Sequence, residues 1–265
     1  MAERIGAEIV SVDSMAVYRG LDVGTAKPGE AERAHVPHHL VDVVDPGERY
    51  SVARWLADVA EALDGIRSRG RAVLFVGGTP LYLRALRDGL EPLPGADPEL
   101  RRRLADEAAR IGSPALHARL AVADPGAARR IHPHDLKRIV RALEVVAATG
   151  APLPVSRAAP PHETFARRMM ILDVPRSLLG TRIDRRVERM FAAGLVEETR
   201  GALARPGGIG PTAAQAAGYA EAIDLLAGRI GTEEAVRRTQ ARTRQLAKRQ
   251  RTWLRSFPDA VWIAA

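Results

Sequence analysis

Glu8-Ile-Val-Ser-Val-Asp-Ser14, with the run Tyr18-Arg-Gly-Leu-Asp-Val-Gly-Thr-Ala-Lys-Pro28 behind it, decides how this chain folds. Ile9, Val10 and Val12 are β-branched and apolar, the mark of a short buried strand. That strand delivers Asp13 and Ser14 at its end. In open α/β sheets ligands bind outside the carboxyl ends of the strands. Asp13 therefore stands where a general base is useful; the plainer reading is that it caps the next turn.

Before this strand, residues 2–6 read as the tail of a helix closed by Gly6. Leu40-Val-Asp-Val-Val44 reads as a second strand, stopped by Asp45-Pro46-Gly47. Ser51 caps a helix to about Ser68, with Val52, Trp55, Leu56, Val59, Leu63 and Ile66 on one face. Arg71-Ala-Val-Leu-Phe-Val76 reads as a buried strand that breaks at Gly77-Gly78-Thr79-Pro80, and Leu81 opens a helix. Strand–helix–strand alternation predicts a parallel sheet with crossover helices.

The pattern changes after Pro92-Leu-Pro94-Gly95. Residues 96–135 are helical and charged without a strand, which predicts a small helical insertion between core segments 1–95 and 136–265. Asp135 caps a helix over Leu136 to Ala148, ended by Gly150, and residues 151–166 read as a Pro-rich loop. Met169 to Val174 returns to strand, Ser177 starts a helix through Ala193, and Val261-Trp-Ile263 adds a last edge strand.

Composition narrows the class. The chain has 265 residues, 46% hydrophobic and 27% charged, as in a soluble globular protein. The absence of cysteine excludes disulfides, thiolate zinc sites and a cysteine nucleophile. No run is apolar enough for a signal peptide or a bilayer span, so the expectation is a cytoplasmic protein with no membrane partner. The net charge is +8, and eight Lys/Arg lie between Arg237 and Arg255 with no Asp or Glu among them. Without those eight, basic and acidic residues balance. Arg237, Arg244, Lys248, Arg251 and Arg255 form one helical stripe and Arg238, Arg242 and Arg249 a second, with Val236, Leu246, Ala247, Trp253 and Leu254 as the apolar face. Like charges so spaced repel, and a nucleic-acid backbone offsets that repulsion.

Other groups bear on chemistry. Gly77-Gly78-Thr79 at a strand-to-helix turn offers backbone approach to an anion, and Thr79 can hold a carboxylate or phosphate. Arg182, Arg186 and Arg189 share a helix face suited to clamping a diphosphate, opposite Ile183, Val187, Met190 and Phe191. Lys137, Arg138 and Arg141 cluster beside Ile139, Val140 and Leu143 and suit a nucleic-acid backbone. The histidines show no metal-ligand spacing, so no protein metal site is expected.

Taken together, the strings Val10-Ser-Val-Asp-Ser14, Tyr18 to Pro28, Val76-Gly-Gly-Thr79 with Leu81-Tyr82, Pro92-Leu-Pro94, Arg130-Ile-His-Pro133, Arg138, Arg141-Ala-Leu-Glu144, Thr243-Arg-Gln-Leu-Ala-Lys-Arg-Gln250 and Thr252-Trp-Leu254 resemble the tRNA dimethylallyltransferase (tRNA isopentenyltransferase) family over nearly the whole chain. The resemblance implies transfer of a dimethylallyl group from its diphosphate, with Mg²⁺, to N6 of the adenine 3′ to the anticodon. It implies Asp13 as general base, Thr79 as its support and Arg186 with Arg182 on the diphosphate. It implies tRNA contacts, in the anticodon arm, from Asp13, Ser14, Met15, Ala16, Thr79, Arg101, Lys137, Arg138, Ile139, Val140 and Arg141, and along the basic helix from Arg244, Lys248 and Arg251. Free-adenylate isopentenyltransferases, which share the first motif, and a non-catalytic tRNA-binding remnant are the alternatives. Family members carry a Gly-x-x-x-x-Gly-Lys-Ser/Thr phosphate loop, and no such string occurs here. The expectation is thus an α/β, P-loop-NTPase-like parallel sheet lacking its first strand and P-loop. Further expectations are an exposed strand edge, weak or absent catalysis in this truncated form, and a monomer at full length.

Overall fold

A computed structural model describes residues 1–154 and 169–265. The chain forms two compact units, Met1–Arg87 with Pro160–Ala265, and Asp88–Ala159.

In the first unit, β1 (Ala7–Val12) lies between β2 (His38–His39) and β3 (Ala72–Gly77), all parallel. β1 pairs with β3 along its whole length, from Ala7 opposite Ala72 to Val12 opposite Gly77. Two parallel strands in register bring their carboxyl ends together, so the segments after Val12 and Gly77 emerge side by side. In the order β2-β1-β3 the chain leaves β1 toward one edge and returns at the other, so the crevice between β1 and β3 is a topological switch point. Gly77 is required there, because a Cβ at this position would lie 2.4 Å from the Val12 carbonyl oxygen.

Helix α2 (Val52–Ser68) starts where Ser51 accepts the Arg54 N–H and buries Trp55, Val59, Leu63 and Ile66. Trp55 donates its indole N–H to Ser11 O at 3.1 Å and stacks on Tyr82 of α3 (Pro80–Asp88) at 4.5 Å. The helix facing the sheet thereby ties down both segments of the crevice. At the start of β1, the buried Glu8 carboxylate accepts two bonds from Arg69 and lies 2.7 Å from His39 Nε2.

Three expectations change. Residues 40–44 are not a strand, because Leu40 and Asp42 take positive φ of 60° and 58°, which breaks the ladder after His39. Val44 keeps only an isolated bridge to Tyr18. β3 is an edge strand with Val76 48% exposed, not a buried one, since among the described residues only β1 pairs with it. Residues 2–6 form a 3₁₀ turn, Glu3–Ile5, rather than an α-helical tail. β4 (Met170–Asp173) and β5 (Val261–Ala264) pair in parallel as a separate two-stranded sheet. Around them lie the short α1 (Glu30–His35), α8 (Arg176–Ala192), α9 (Leu195–Leu203), α10 (Tyr219–Leu226) and α11 (Thr232–Leu254).

The second unit is helical: α4 (Pro98–Ile111), α5 (Ser113–Ala123), α6 (Pro125–Arg130) and α7 (Leu136–Thr149). It is wider than the 96–135 segment, because α7 contributes Ile139, Val140, Ala142 and Leu143 to the same core as Leu104, Leu116, Leu120 and Ile131. Asp97, Asp124 and Asp135 cap α4, α6 and α7 by accepting backbone N–H bonds. Of the Pro-rich stretch 151–166, residues 155–166 lie outside the described residues. Among the described residues, no helix is long and apolar enough to cross a membrane.

Candidate active site

Asp13 and Ser14 follow β1, and Gly78 and Thr79 follow β3. The Ser14 N–H donates to Thr79 Oγ1 at 3.0 Å, and Thr79 Oγ1 donates to Ser14 Oγ at 3.3 Å. The Thr79 N–H donates to Val12 O at 3.1 Å. Thr79 therefore holds the backbone beside Asp13 rather than its carboxylate. Asp13 Oδ1 accepts the Met15 N–H at 2.8 Å. The capping role is real, and it occupies one of the two carboxylate oxygens. Ala16 is buried, while Asp13, Ser14, Met15 and Thr79 remain partly open to solvent.

Arg186 on α8 reaches the loop that follows β1. Its Nη2 donates to Thr25 O at 3.4 Å. Crowding by protein lowers its pKa, the Asp13 carboxylate opposes that shift, and Arg189 reinforces it. The buried Tyr82 phenol is pushed up chiefly by burial, with Tyr18 and then Asp13 adding to the shift.

The predicted arginine row divides. Arg182 and Arg189 line a cleft of ≈ 590 Å³ with Arg185 and Glu188, whereas Arg186 turns to Thr25. The opposite face is as expected, with Ile183, Val187 and Met190 buried.

The basic helix α11 differs from the expectation in both packing and charge. Its buried positions are Ala235 and Thr239, and Leu246 and Trp253 are each 40% exposed, so the predicted apolar face does not form. Most of its cations are neutralised from within. Arg237 and Arg238 pair with Glu234, Arg242 with Glu221, Arg244 with Asp184, and Arg251 with Asp173 at 2.8 Å. The carboxylates come from the preceding turn and from other elements, so self-repulsion does not call for an outside polyanion. Lys248 and Arg249 are exposed and have no ion-pair partner among the described residues. Gln250 donates Nε2 to Gly78 O at 2.8 Å and fastens α11 to the Gly-Gly turn.

In the helical unit Lys137 and Arg138 are exposed. Ile139 and Val140 face its core, so their side chains do not reach a surface partner. Arg101 and Arg141 both pair with the buried Glu144, Arg101 at 2.6 Å and Arg141 at 3.5 Å. Arg141 also donates to Pro94 O at 2.8 Å. Their guanidiniums therefore hold this unit together in the structure described.

The loop after β1 contains residues that sequence reading passed over. The Lys27 ammonium, with its side chain 2% exposed, pairs with Asp22 at 2.8 Å and Asp42 at 2.6 Å and bonds Tyr18 O. A lysine so deeply buried persists only with such partners. Glu198 on α9 and Tyr219 on α10 grip the other side of the loop.

A family model described as IPP transferase matches residues 16–257. The chain belongs to the IPP transferase family. It is 52% identical to the tRNA dimethylallyltransferase of Anaeromyxobacter dehalogenans strain 2CP-C over 265 residues, which is 100% of this chain and 88% of that protein. It is 46% identical to the Geobacter metallireducens tRNA dimethylallyltransferase, covering 99% of this chain and 86% of that one. Among solved structures, the tRNA isopentenylpyrophosphate transferase of Bacillus halodurans superposes with a TM-score of 0.69 at 38% identity, over 99% of this chain and 83% of that chain. A eukaryotic dimethylallyltransferase acting on tRNA superposes with a TM-score of 0.72 at 25% identity, over 99% and 68%. The architecture is thus the P-loop-like α/β fold of the IPP transferases, with a parallel sheet and flanking helices.

Proposed function

We propose that this chain transfers a dimethylallyl group from dimethylallyl diphosphate to N6 of the adenine on the 3′ side of the anticodon in tRNA. One observation carries the reading: the shared register of β1 and β3 sets Asp13, a proton acceptor, beside the Ser14–Thr79 bond, and Arg186, an anion holder, is bonded to the loop after β1, in a chain belonging to the IPP transferases.

The chemistry asks for both. An exocyclic adenine amine is a weak nucleophile, so the allylic carbon must be attacked as its bond to diphosphate oxygen breaks. Arg186, with Arg182 nearby on the same helix, stabilises the negative charge that builds on the leaving oxygens. As the carbon–nitrogen bond forms, the free oxygen of Asp13 takes the N6 proton. The diphosphate departs with the electron pair of the broken carbon–oxygen bond. The adenine must leave its stack to reach such a crevice.

Among the described residues no three His, Cys, Asp or Glu side chains form a metal cage. Mg²⁺ needs none, because it binds through one or two carboxylates, substrate phosphates and water. Ser14 Oγ would hold such an ion together with the oxygens of the substrate diphosphate and water, leaving the free oxygen of Asp13 for the proton. When bound, Mg²⁺ supplies charge neutralisation on the diphosphate. The exposed Lys137, Arg138, Lys248 and Arg249 supply phosphate contacts to tRNA.

The test is a prenyl-transfer assay with dimethylallyl diphosphate and unmodified tRNA, beside AMP, with nucleosides analysed by mass spectrometry. N6-dimethylallyl adenosine in tRNA and none on AMP is expected. Asp13→Asn should abolish it while tRNA affinity holds. Prenylation of AMP with none of tRNA overturns the substrate, and full turnover in Asp13→Asn removes the proton-transfer role.

A further inference from the structure

The loop Asp22-Val-Gly-Thr25 is held by a carboxylate 174 to 176 residues away. Glu198 Oε2 accepts N–H bonds from Asp22 at 2.8 Å and Val23 at 2.9 Å, and Oε1 lies 3.5 Å from the Gly24 nitrogen. Tyr219, fully buried, donates its O–H to Glu198 Oε1 at 2.5 Å and accepts the Gly24 N–H at 3.1 Å. Three successive backbone donors converge on one anion, as in the concave sites that bind phosphates. Here a side chain fills the concavity. Gly24 permits the fit, since a Cβ there would lie 2.5 Å from the Tyr219 ring and 2.8 Å from Leu195. The next carbonyl in the chain, Thr25 O, is the acceptor for Arg186.

We propose that Glu198 and Tyr219 are positioning residues for the diphosphate end of the reaction: by fixing the amides of residues 22–24 they fix the Thr25 carbonyl, which holds the Arg186 guanidinium at the loop that follows β1. This rests on the prenyl-transfer reading, in that Arg186 is taken to hold the diphosphate. Stability alone does not require this arrangement. A carboxylate that met the loop only for packing would not be ligated by three amides one step before the Arg186 acceptor. The sign of its effect also separates the two roles. Glu198 is negative, so acting only through its field it would weaken diphosphate binding, and its neutralisation would tighten that binding. As a positioning group it does the reverse. Glutamine in its place keeps one acceptor but turns an NH₂ toward amide donors, which opens the clamp.

The experiment measures binding of inorganic diphosphate to the purified chain by calorimetry, together with amide hydrogen exchange. Glu198→Gln should weaken diphosphate by about tenfold, as for loss of charge-assisted bonds. It should speed exchange at Asp22, Val23 and Gly24 while distant β1 amides are unchanged. Arg186→Ala should weaken binding as well, and the double variant should bind no more weakly than Arg186→Ala alone, because the clamp acts through that arginine. Tyr219→Phe, which deletes only a hydroxyl, should shift both readouts in the same direction by a smaller amount and serves if Glu198→Gln does not fold. Unchanged or tighter diphosphate binding in Glu198→Gln or Tyr219→Phe overturns the proposal, as do additive losses in the double variant. Absence of diphosphate binding by the unsubstituted chain overturns it too. Failure of prenyl transfer with diphosphate binding and its coupling intact would instead remove the reaction assigned above and leave the clamp standing.

Discussion

Replacing Thr79 by valine keeps the side-chain shape and deletes a hydroxyl that makes two bonds, accepting from the Ser14 N–H at 3.0 Å and donating to Ser14 Oγ at 3.3 Å. The longer bond joins two partly solvated hydroxyls, and water can replace it at little cost. The shorter one holds a half-buried backbone donor next to Asp13. A neutral hydrogen bond contributes about 1 kcal/mol net, and stranding its buried partner costs about 1–3 kcal/mol. Partial exposure argues for the lower end, about 1–1.5 kcal/mol. If that loss falls on the geometry of Asp13 in the transition state, turnover drops by about tenfold. The assay is kcat for prenyl transfer at saturating tRNA and dimethylallyl diphosphate, with urea unfolding run on the same samples. Thr79→Ser retains the hydroxyl and should keep most of the rate. Wild-type turnover in Thr79→Val would refute the reasoning, and so would an equal loss in Thr79→Ser, because the methyl group rather than the hydroxyl would then matter.

Other expectations follow from the same geometry. Lys248→Ala with Arg249→Ala should weaken tRNA binding and make the dependence of log K on log salt shallower by about 1.5, from two lost phosphate contacts, measured by filter binding over a salt series. Leu116→Ala or Leu120→Ala, both at fully buried positions, should cost about 2–5 kcal/mol and speed hydrogen exchange across α4 to α7. Glu8 has its pKa lowered to about 2, chiefly by the Arg69 hydrogen bonds, with His39 assisting against the opposing effect of burial. A depressed carboxylate contributes stability that is present above its unfolded value of 4.5 and is lost as pH falls toward 2. The difference in urea midpoint between the unsubstituted chain and Glu8→Gln should therefore be large at pH 7 and shrink between pH 4.5 and 2.

Several elements were legible because their signals are local. Ser51 at a helix start, β-branched residues over 9–12 and the glycines at 77–78 act within a few residues of themselves. The strand expected over 40–44 was lost to something non-local. Asp42 adopts a left-handed backbone conformation, and its carboxylate is tied to Lys27 and Arg33. The basic helix misled for the same reason. Its own sequence shows charge without compensation, yet Asp173, Asp184 and Glu221 arrive from other elements to supply it. The arginine row on α8 has the right spacing, but which arginine meets the loop after β1 depends on Thr25, a carbonyl 161 residues away in the chain.

By itself the sequence determined the family, the parallel α/β class and the presence of an acid at the end of the first strand, since all three are written in contiguous strings. Only the tertiary structure decided that Thr79 holds Ser14, that Arg186 is the arginine bonded to the Thr25 carbonyl, and that Glu198 and Tyr219 grip the same loop. The physical reason is range. Backbone preference and hydrophobic period act over a few residues, whereas a hydrogen bond between distant segments exists only after the sheet register and helix packing have brought its two ends within about 3 Å of each other.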